Sequence, residues 1–412
     1  MTPGSTPWWR SAVIYEVYIR SFADGDGDGI GDIAGLRARL GHLAELGVDA
    51  VWITPWYPSP MRDGGYDVSD FRAIDPRFGT LEQARELIAD AHGLGLRVLL
   101  DLVPNHVSDQ HPWFREALAA APGSAARARF IFREGRGVAG DEPPNDWQSN
   151  FGGPAWSRVA DADDRPDEWY LHLFAPAQPD LDWTNPEVHD EFASIMRFWF
   201  ELGIDGFRID VAHGLAKASG LPDLGSLIWS PPAGEPVDHP HWDRDEVHEI
   251  YRSWRGLADA YEDPRVFVAE AWVHHPERLA RYVRPGELHT AFNFDFLLAP
   301  WQAESLRATI EASLRAHEEV GAPPTWVLSN HDTVREVSRY ARPQDVRELR
   351  HLVDLIDLPA DAATGRRRAR AAALLMLALP GGAYVYQGEE LGLPEVEDLP
   401  DEVLQDPSWE QS

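Results

Sequence analysis

The chain has 412 residues, 44% of them hydrophobic, enough for a large core and for more than one domain. Its 68 Asp and Glu against 37 Lys and Arg give a net charge of -31, which argues against nucleic acid and anionic membrane as partners. The sequence has no cysteine, so disulfide frameworks and thiolate zinc sites are excluded. No apolar run approaches the ~20 residues of a membrane span. The stretch 1–10 is polar and lacks a signal-peptide core, so a cytoplasmic protein is the expectation.

In chain order, residues 13–19 form a β-branched, aromatic run that fits a strand. Residues 33–46 have helical spacing, with Gly47 as a stop, and 50–53 read as a second buried strand. A helix at 81–94 and a third strand at 97–103 follow. The rhythm then breaks: 107–180 is rich in Gly, Pro, Asp and Trp, with a helical patch near 114–120. So long a stretch is read as an inserted subdomain rather than a loop. It divides a domain of residues 1–106 and 181–412.

The alternation resumes with a helix at 186–202, Pro in its first turn, and a fourth strand at 206–209. Helix 244–260, strand 266–269, helix 276–282 and strand 291–294 come next. Helix 301–320, strand 325–328, helix 366–379 and strand 383–386 complete the pattern. Eight strands separated by helices specify a parallel sheet, most economically closed into a (β/α)8 TIM barrel. A doubly wound open sheet is the alternative, without a Gly-rich phosphate loop after the first strand to support it. From 392 to 412 the chain is acidic and loop-like, so either 403–409 begins an eighth helix or the chain is cut short, the favoured expectation.

Polar residues follow the apolar runs abruptly. The third strand ends Asp101-Leu102-Val103-Pro104-Asn105-His106, the fourth carries Arg208 and Asp210, Glu270 follows the fifth, and Asn330-His331-Asp332 follow the seventh. In a barrel these ends converge on one face, where polar groups read as catalytic. The set suits glycoside transfer, which needs one carboxylate as nucleophile and another as acid/base about 5 Å apart. Beside Arg208, Asp210 is expected to stay ionised as a nucleophile. Glu270 lies between Ala269 and Ala271 with Trp272 close by, surroundings that suit a proton donor. Asp332 would stabilise developing positive charge, and His106 and His331 would bind sugar hydroxyls. A second signal is the run 24–32, D-G-D-G-D-G-I-G-D. Asp24, Asp26 and Asp28, the Ile30 carbonyl and Asp32 match the first half of a loop that wraps a hard cation, without the Glu of a full EF-hand.

These motifs resemble the four signature regions of glycoside hydrolase family 13, the α-amylase family. The resemblance implies Asp210 as nucleophile, Glu270 as acid/base and Asp332 as transition-state stabiliser, with Arg208, His106 and His331 as sugar contacts. It also implies that Tyr66 stacks on the sugar and Asp67 binds its hydroxyls, within Gly65-Tyr66-Asp67. The run Gln178-Pro179-Asp180-Leu181-Asp182-Trp183 is similar to the oligo-1,6-glucosidase and α-glucosidase branch, in which a closed pocket releases single glucose units from the non-reducing end. Asn150 to Trp156 looks like bacterial α-glucosidases, with Phe151 and Phe174 lining the pocket. The branch binds Ca2+ or Mg2+ at the loop matching 24–32, as a structural cofactor.

The sequence departs from the family in two places. Related enzymes continue into a last helix and a C-terminal β-sandwich that this sequence is expected not to include, and no arginine follows Arg370 in it to supply the branch's late pocket contact. Val211, after the nucleophile, accompanies α-1,6 activity in the branch, while other features look more like α-1,4 enzymes. Maltose-type substrates are favoured, with isomaltose-type possible. The expected partner is thus a small α-linked gluco-oligosaccharide, and a glucosyltransferase or sugar isomerase and a silent sugar-binding relative remain as alternatives.

Overall fold

The computed structural model describes residues 6–159, 168–225, 227, 238–273, 275–345, 350, 351, 354, 355, 358–405 and 407. Among these, the apolar runs form eleven strands: β1 Val13–Val17, β2 Ala50–Ile53, β3 Arg97–Leu102, β4 Phe132–Glu134, β5 Trp156–Arg158, β6 Glu168–Leu171, β7 Gly206–Ile209, β8 Val266–Ala269, β9 Thr290–Asn293, β10 Thr325–Val327 and β11 Gly382–Tyr386. Eight of them close into a barrel in the order β1-β11-β10-β9-β8-β7-β3-β2. Every neighbouring pair in it is parallel. The fold is a (β/α)8 barrel, and closure rules out the open sheet.

Alternation along each strand builds two cores. Ile14, Trp52, Leu99, Val268, Phe292 and Tyr384 pack together in the lumen. Their strand neighbours Tyr15, Val51, Leu100 and Phe267 belong to a second core with helix residues such as Leu36 and Leu40. The helices start and stop on local chemistry. Ile33–Leu46 begins where Asp32 accepts the Gly35 N–H and ends at Gly47, which takes the left-handed φ of 87° that the stop requires. Leu81–Gly93 opens with a reciprocal capping box of Thr80 and Gln83. The helix expected at 244–260 shortens to Val247–Ala258. Arg244, before it, spends its guanidinium on Asp238 and Glu246.

Between β3 and β7, strands β4, β6 and β5 form a small antiparallel sheet. A single bridge from His106 to Asp180 brings the two ends of this stretch together, and another joins Phe130 within it to Leu181. Trp147, Trp156 and Leu171 share an apolar cluster with Val211, Leu221 and Trp242, so the insert packs on the loop that leaves β7. No helix among the described residues is long and apolar enough to cross a membrane. The described residues after β11 contain no strand; of the suggested helix at 403–409, residues 404 and 405 are not helical and 406, 408 and 409 lie outside the described residues.

Candidate active site

A closed parallel barrel brings the C-terminal ends of all eight strands to one mouth, where Arg208 is the hub. Its side chain is 1% exposed. One terminal nitrogen donates to Asp101 Oδ1 at 2.9 Å and to Asp210 Oδ1 at 2.6 Å. The other lies 3.7 Å from Glu270 Oε2. Strand register makes this possible, because Arg208 pairs with Asp101 on β3 and with Val268 on β8. The guanidinium also lies over the rings of Trp52 and Tyr66, with its carbon 5.1 and 5.6 Å from their centres. Trp52 Nε1 and the Tyr66 hydroxyl both donate to Asp101 Oδ2, at 3.2 and 2.9 Å.

Three buried carboxylates around one guanidinium cannot all be neutralised by it, and the consequence corrects a sequence expectation. Burial pushes Asp210 well above the ordinary carboxylate range, with Arg208 opposing and Glu270, Asp101 and Asp332 adding to the rise. Burial likewise lifts Asp101 to about 6 against the pull of Arg208. Asp210 is therefore not tuned by Arg208 alone: burial and the neighbouring carboxylates work against the guanidinium. Glu270 is also not in apolar surroundings: its Oε2 accepts the Val211 N–H at 2.7 Å. Val211 has φ 46°, an outlier for a β-branched residue and the kind of backbone strain that gathers at functional sites.

The seventh-strand side of the mouth is built on His331. Its Nδ1 lies 2.6 Å from Glu16 Oε1, and its Nε2 lies 2.7 Å from the Tyr66 hydroxyl and 3.3 Å from Asp332 Oδ1. The ring is sandwiched between Tyr18 and Tyr66 at 5.4 and 5.3 Å. Burial alone would lower its pKa, but Asp332 and Glu16 raise it to about 9, so the ring is an imidazolium at neutral pH. Asp332 is the open member, its side chain 42% exposed. Sequence reasoning missed Glu16, which is 1% exposed within β1. The signal was a lone acid in an apolar strand, costly to bury without a partner.

The third-strand side holds His106, which is 1% exposed and lowered to about 4 by burial, with Asp180 opposing and Lys217 assisting. This ring is neutral. Gln178 Nε2 stands 3.1 Å from its Nε2 and donates to Asp63 Oδ2 at 2.7 Å. Phe174 lies 5.0 Å from the His106 ring and 5.8 Å from Phe151, so both aromatics extend this wall into the insert.

Asp67 departs from its expected role. It is 0% exposed, and its oxygens accept from Ser59 Oγ at 2.6 Å and from the N–H groups of Arg62 and Asp63 at 3.1 and 3.3 Å. It organises the loop rather than facing a ligand. Asp63 is joined through Gln178 to His106, because the turn through Gly64 and Gly65 carries it to the His106 side.

Away from the mouth, Asp24, Asp26 and Asp28 each offer an oxygen within 4.8 Å of the others. Asp24 accepts the N–H groups of Gly27 and Gly29 at 2.6 and 2.8 Å. Asp32 is not part of that trio; its Oδ1 caps the following helix through Gly35 N–H at 2.6 Å. It still abuts the loop, since a Cβ on Gly25 would fall 2.6 Å from that oxygen. Ile30 donates its N–H to Asp28 Oδ1 at 2.8 Å.

Carboxylates gathered on one guanidinium at the mouth of a barrel, with histidines on either side, are the equipment of a glycoside hydrolase. The comparisons with known proteins agree. The chain belongs to the α-amylase family: the family described as "Alpha amylase, catalytic domain" matches residues 16–411. A probable alpha-glucosidase of Rhizobium meliloti (strain 1021) is 39% identical over 97% of this chain and 70% of its own length. An oligo-1,6-glucosidase of Halalkalibacterium halodurans is 34% identical over 95% of this chain and 67% of its own. Among solved structures, the alpha-glucosyl transfer enzyme XgtA superposes with a TM-score of 0.83 at 35% identity, over 99% of this chain and 73% of that one.

Proposed function

We propose that the chain is a retaining, exo-acting α-glucosidase that releases glucose from the non-reducing end of short α-gluco-oligosaccharides. The observation that carries this is the reach of Arg208, from adjacent strands, to both Asp210 and Glu270. In this reading Asp210 attacks the anomeric carbon while Glu270 gives its proton to the departing sugar oxygen. Glu270 then takes a proton from the water that displaces Asp210, so glucose leaves with the α configuration it had in the substrate. Arg208 hydrogen-bonds Asp210 and opposes the rise that burial gives it, which favours the ionised form a nucleophile needs. Asp332 and the developing ring charge attract each other, and charged His331 and neutral His106 donate to or accept from sugar hydroxyls. Tyr66, Asp63, Phe151 and Phe174 complete the pocket.

Maltose-type links are the favoured substrate and isomaltose-type links the competitor, since relatives carry both kinds of name. Transfer of the glucosyl group to another sugar is a second reading, favoured by the likeness to an alpha-glucosyl transfer enzyme. The proposed compartment is the cytoplasm, which a cysteine-free sequence suits. The loop of Asp24, Asp26 and Asp28, with the Ile30 carbonyl and Asp32 beside it, is proposed to hold Ca2+ or Mg2+; three oxygens that close to one another fit a hard cation. Its role is structural, because it lies before the helix Ile33–Leu46 rather than at the mouth.

A proton NMR time course with maltose and then isomaltose tests the reading. Early α-glucose supports it and the faster substrate sets the linkage. New oligosaccharides with little free glucose favour the transferase, and early β-glucose overturns retention.

A further inference from the structure

Of the 37 basic side chains, Lys217 is the only lysine. It stands on the loop that leaves β7, downstream of Asp210. Its side chain is 4% exposed and its ammonium lies 2.7 Å from Asp180 Oδ2 at the end of the insert. It also donates to Asn105 Oδ1 after β3 at 2.8 Å and to the Gly214 carbonyl on its own loop at 2.8 Å. An ammonium has three N–H donors, so all three are used. A planar guanidinium on a longer stem cannot meet three acceptors grouped about one point. A sequence that uses arginine at every other basic position keeps lysine where that geometry demands it.

The three acceptors lead to the reacting groups. Asn105 is clamped from both ends of its amide, Oδ1 on Lys217 and Nδ2 on Asp180 Oδ2 at 3.1 Å, and His106 is the next residue. Gly214 closes a turn onto the Val211 carbonyl at 2.9 Å, and the Val211 N–H is the group that holds Glu270. We propose that Lys217 is a positioning residue for the reaction, tying the His106 loop and the end of the insert to the turn that leaves Asp210. The inference rests on the α-glucosidase reading for its kinetic consequence, but not for its geometry.

The test compares the parent chain with Lys217→Arg, Lys217→Met and the double variant Lys217→Met/Asp180→Asn, which leaves no buried carboxylate unpaired and guards against a failure to fold. Turnover of 4-nitrophenyl α-glucoside is measured together with the NMR titration of His106. We expect kcat to fall at least tenfold in all folded variants, with KM changing less and no rescue by arginine. In Lys217→Met the His106 titration should move up by about one unit, because Asp180 then faces it unpaired. Parent-like kcat in Lys217→Arg or in the double variant would reduce Lys217 to a charge that balances Asp180 and overturn the proposal. A parent inactive on every glucoside would overturn the glucosidase reading instead. In that case an unmoved His106 titration overturns the tie as well, and a moved one sustains it.

Discussion

The two histidines at the mouth are nearly equally buried, yet one is neutral and the other charged. His106 is pushed down to about 4 and His331 up to about 9. Burial acts in the same direction on both, so the difference lies in who stands beside each ring. At His331, Glu16 makes direct contact at 2.6 Å and Asp332 adds a second negative charge. At His106 the nearest contact is the neutral Gln178 amide, and the carboxylate of Asp180 is already matched by Lys217 at 2.7 Å. Burial lowers both rings, and the carboxylates beside each decide the difference between them. A sugar would meet a positive wall on one side and a neutral one on the other.

The largest effect comes from removing the carboxyl proposed as acid/base. Glu270→Gln should cut hydrolysis of natural disaccharides by about 10³-fold. It should spare the first step on activated aryl glucosides, whose leaving group needs no proton; equal losses in steady-state and burst kinetics on both would sink the acid/base assignment.

Breaking the charged wall is next. Glu16→Gln leaves His331 with Asp332 alone, so its titration should fall from about 9, and kcat/KM should drop about 100-fold as the donor is lost. The same change alters stability against pH. The folded value of His331 lies above its ordinary 6.5, so its contribution is fully present below 6.5 and is lost as pH rises through about 9. In Glu16→Gln that alkaline loss of melting temperature should shrink. His106 has the opposite sign. Its contribution is present above 6.5 and is lost as pH falls toward about 4.

A milder change would make the neutral wall resemble the charged one. Gln178→Glu sets a carboxylate beside His106, and its NMR titration should move from about 4 toward or above the ordinary value. KM for maltose should rise several-fold, with kcat less affected; an unmoved titration would break the comparison between the walls. The smallest effect belongs to the distant loop. Ca2+ should raise the melting temperature by a few degrees and a chelator should reverse it, in line with ligand-linked stability. Asp26→Ala should abolish that response without changing kcat.

Much of the barrel was legible because its signals are local. Gly203 after the helix Pro186–Leu202, and the short apolar runs of β7 and β8, place those elements where the sequence pattern puts them. The strand-end residues were legible for the same reason, since a charge after an apolar run is conspicuous. What escaped depended on distance in the chain. Glu16 is explained by His331, 315 residues further along the chain. Asp63 and Asp67 flank the same Tyr66, and only the folded loop tells which is sealed by Ser59 and which meets Gln178. The raised pKa of Asp210 follows from burial and from carboxylates gathered from separate strands, against the pull of its neighbour Arg208. Lys217 had a signal, its uniqueness in the composition, that no motif search would register.

The most direct test of a retaining mechanism through Asp210 is to trap the glucosyl enzyme. Incubation with 5-fluoro-α-D-glucosyl fluoride, followed by proteolysis and mass spectrometry, should place one fluoroglucosyl group on the peptide that carries Asp210, and maltose should protect against it. An adduct on Glu270 or Asp332, or steady turnover of maltose with no adduct at any carboxylate, would contradict it.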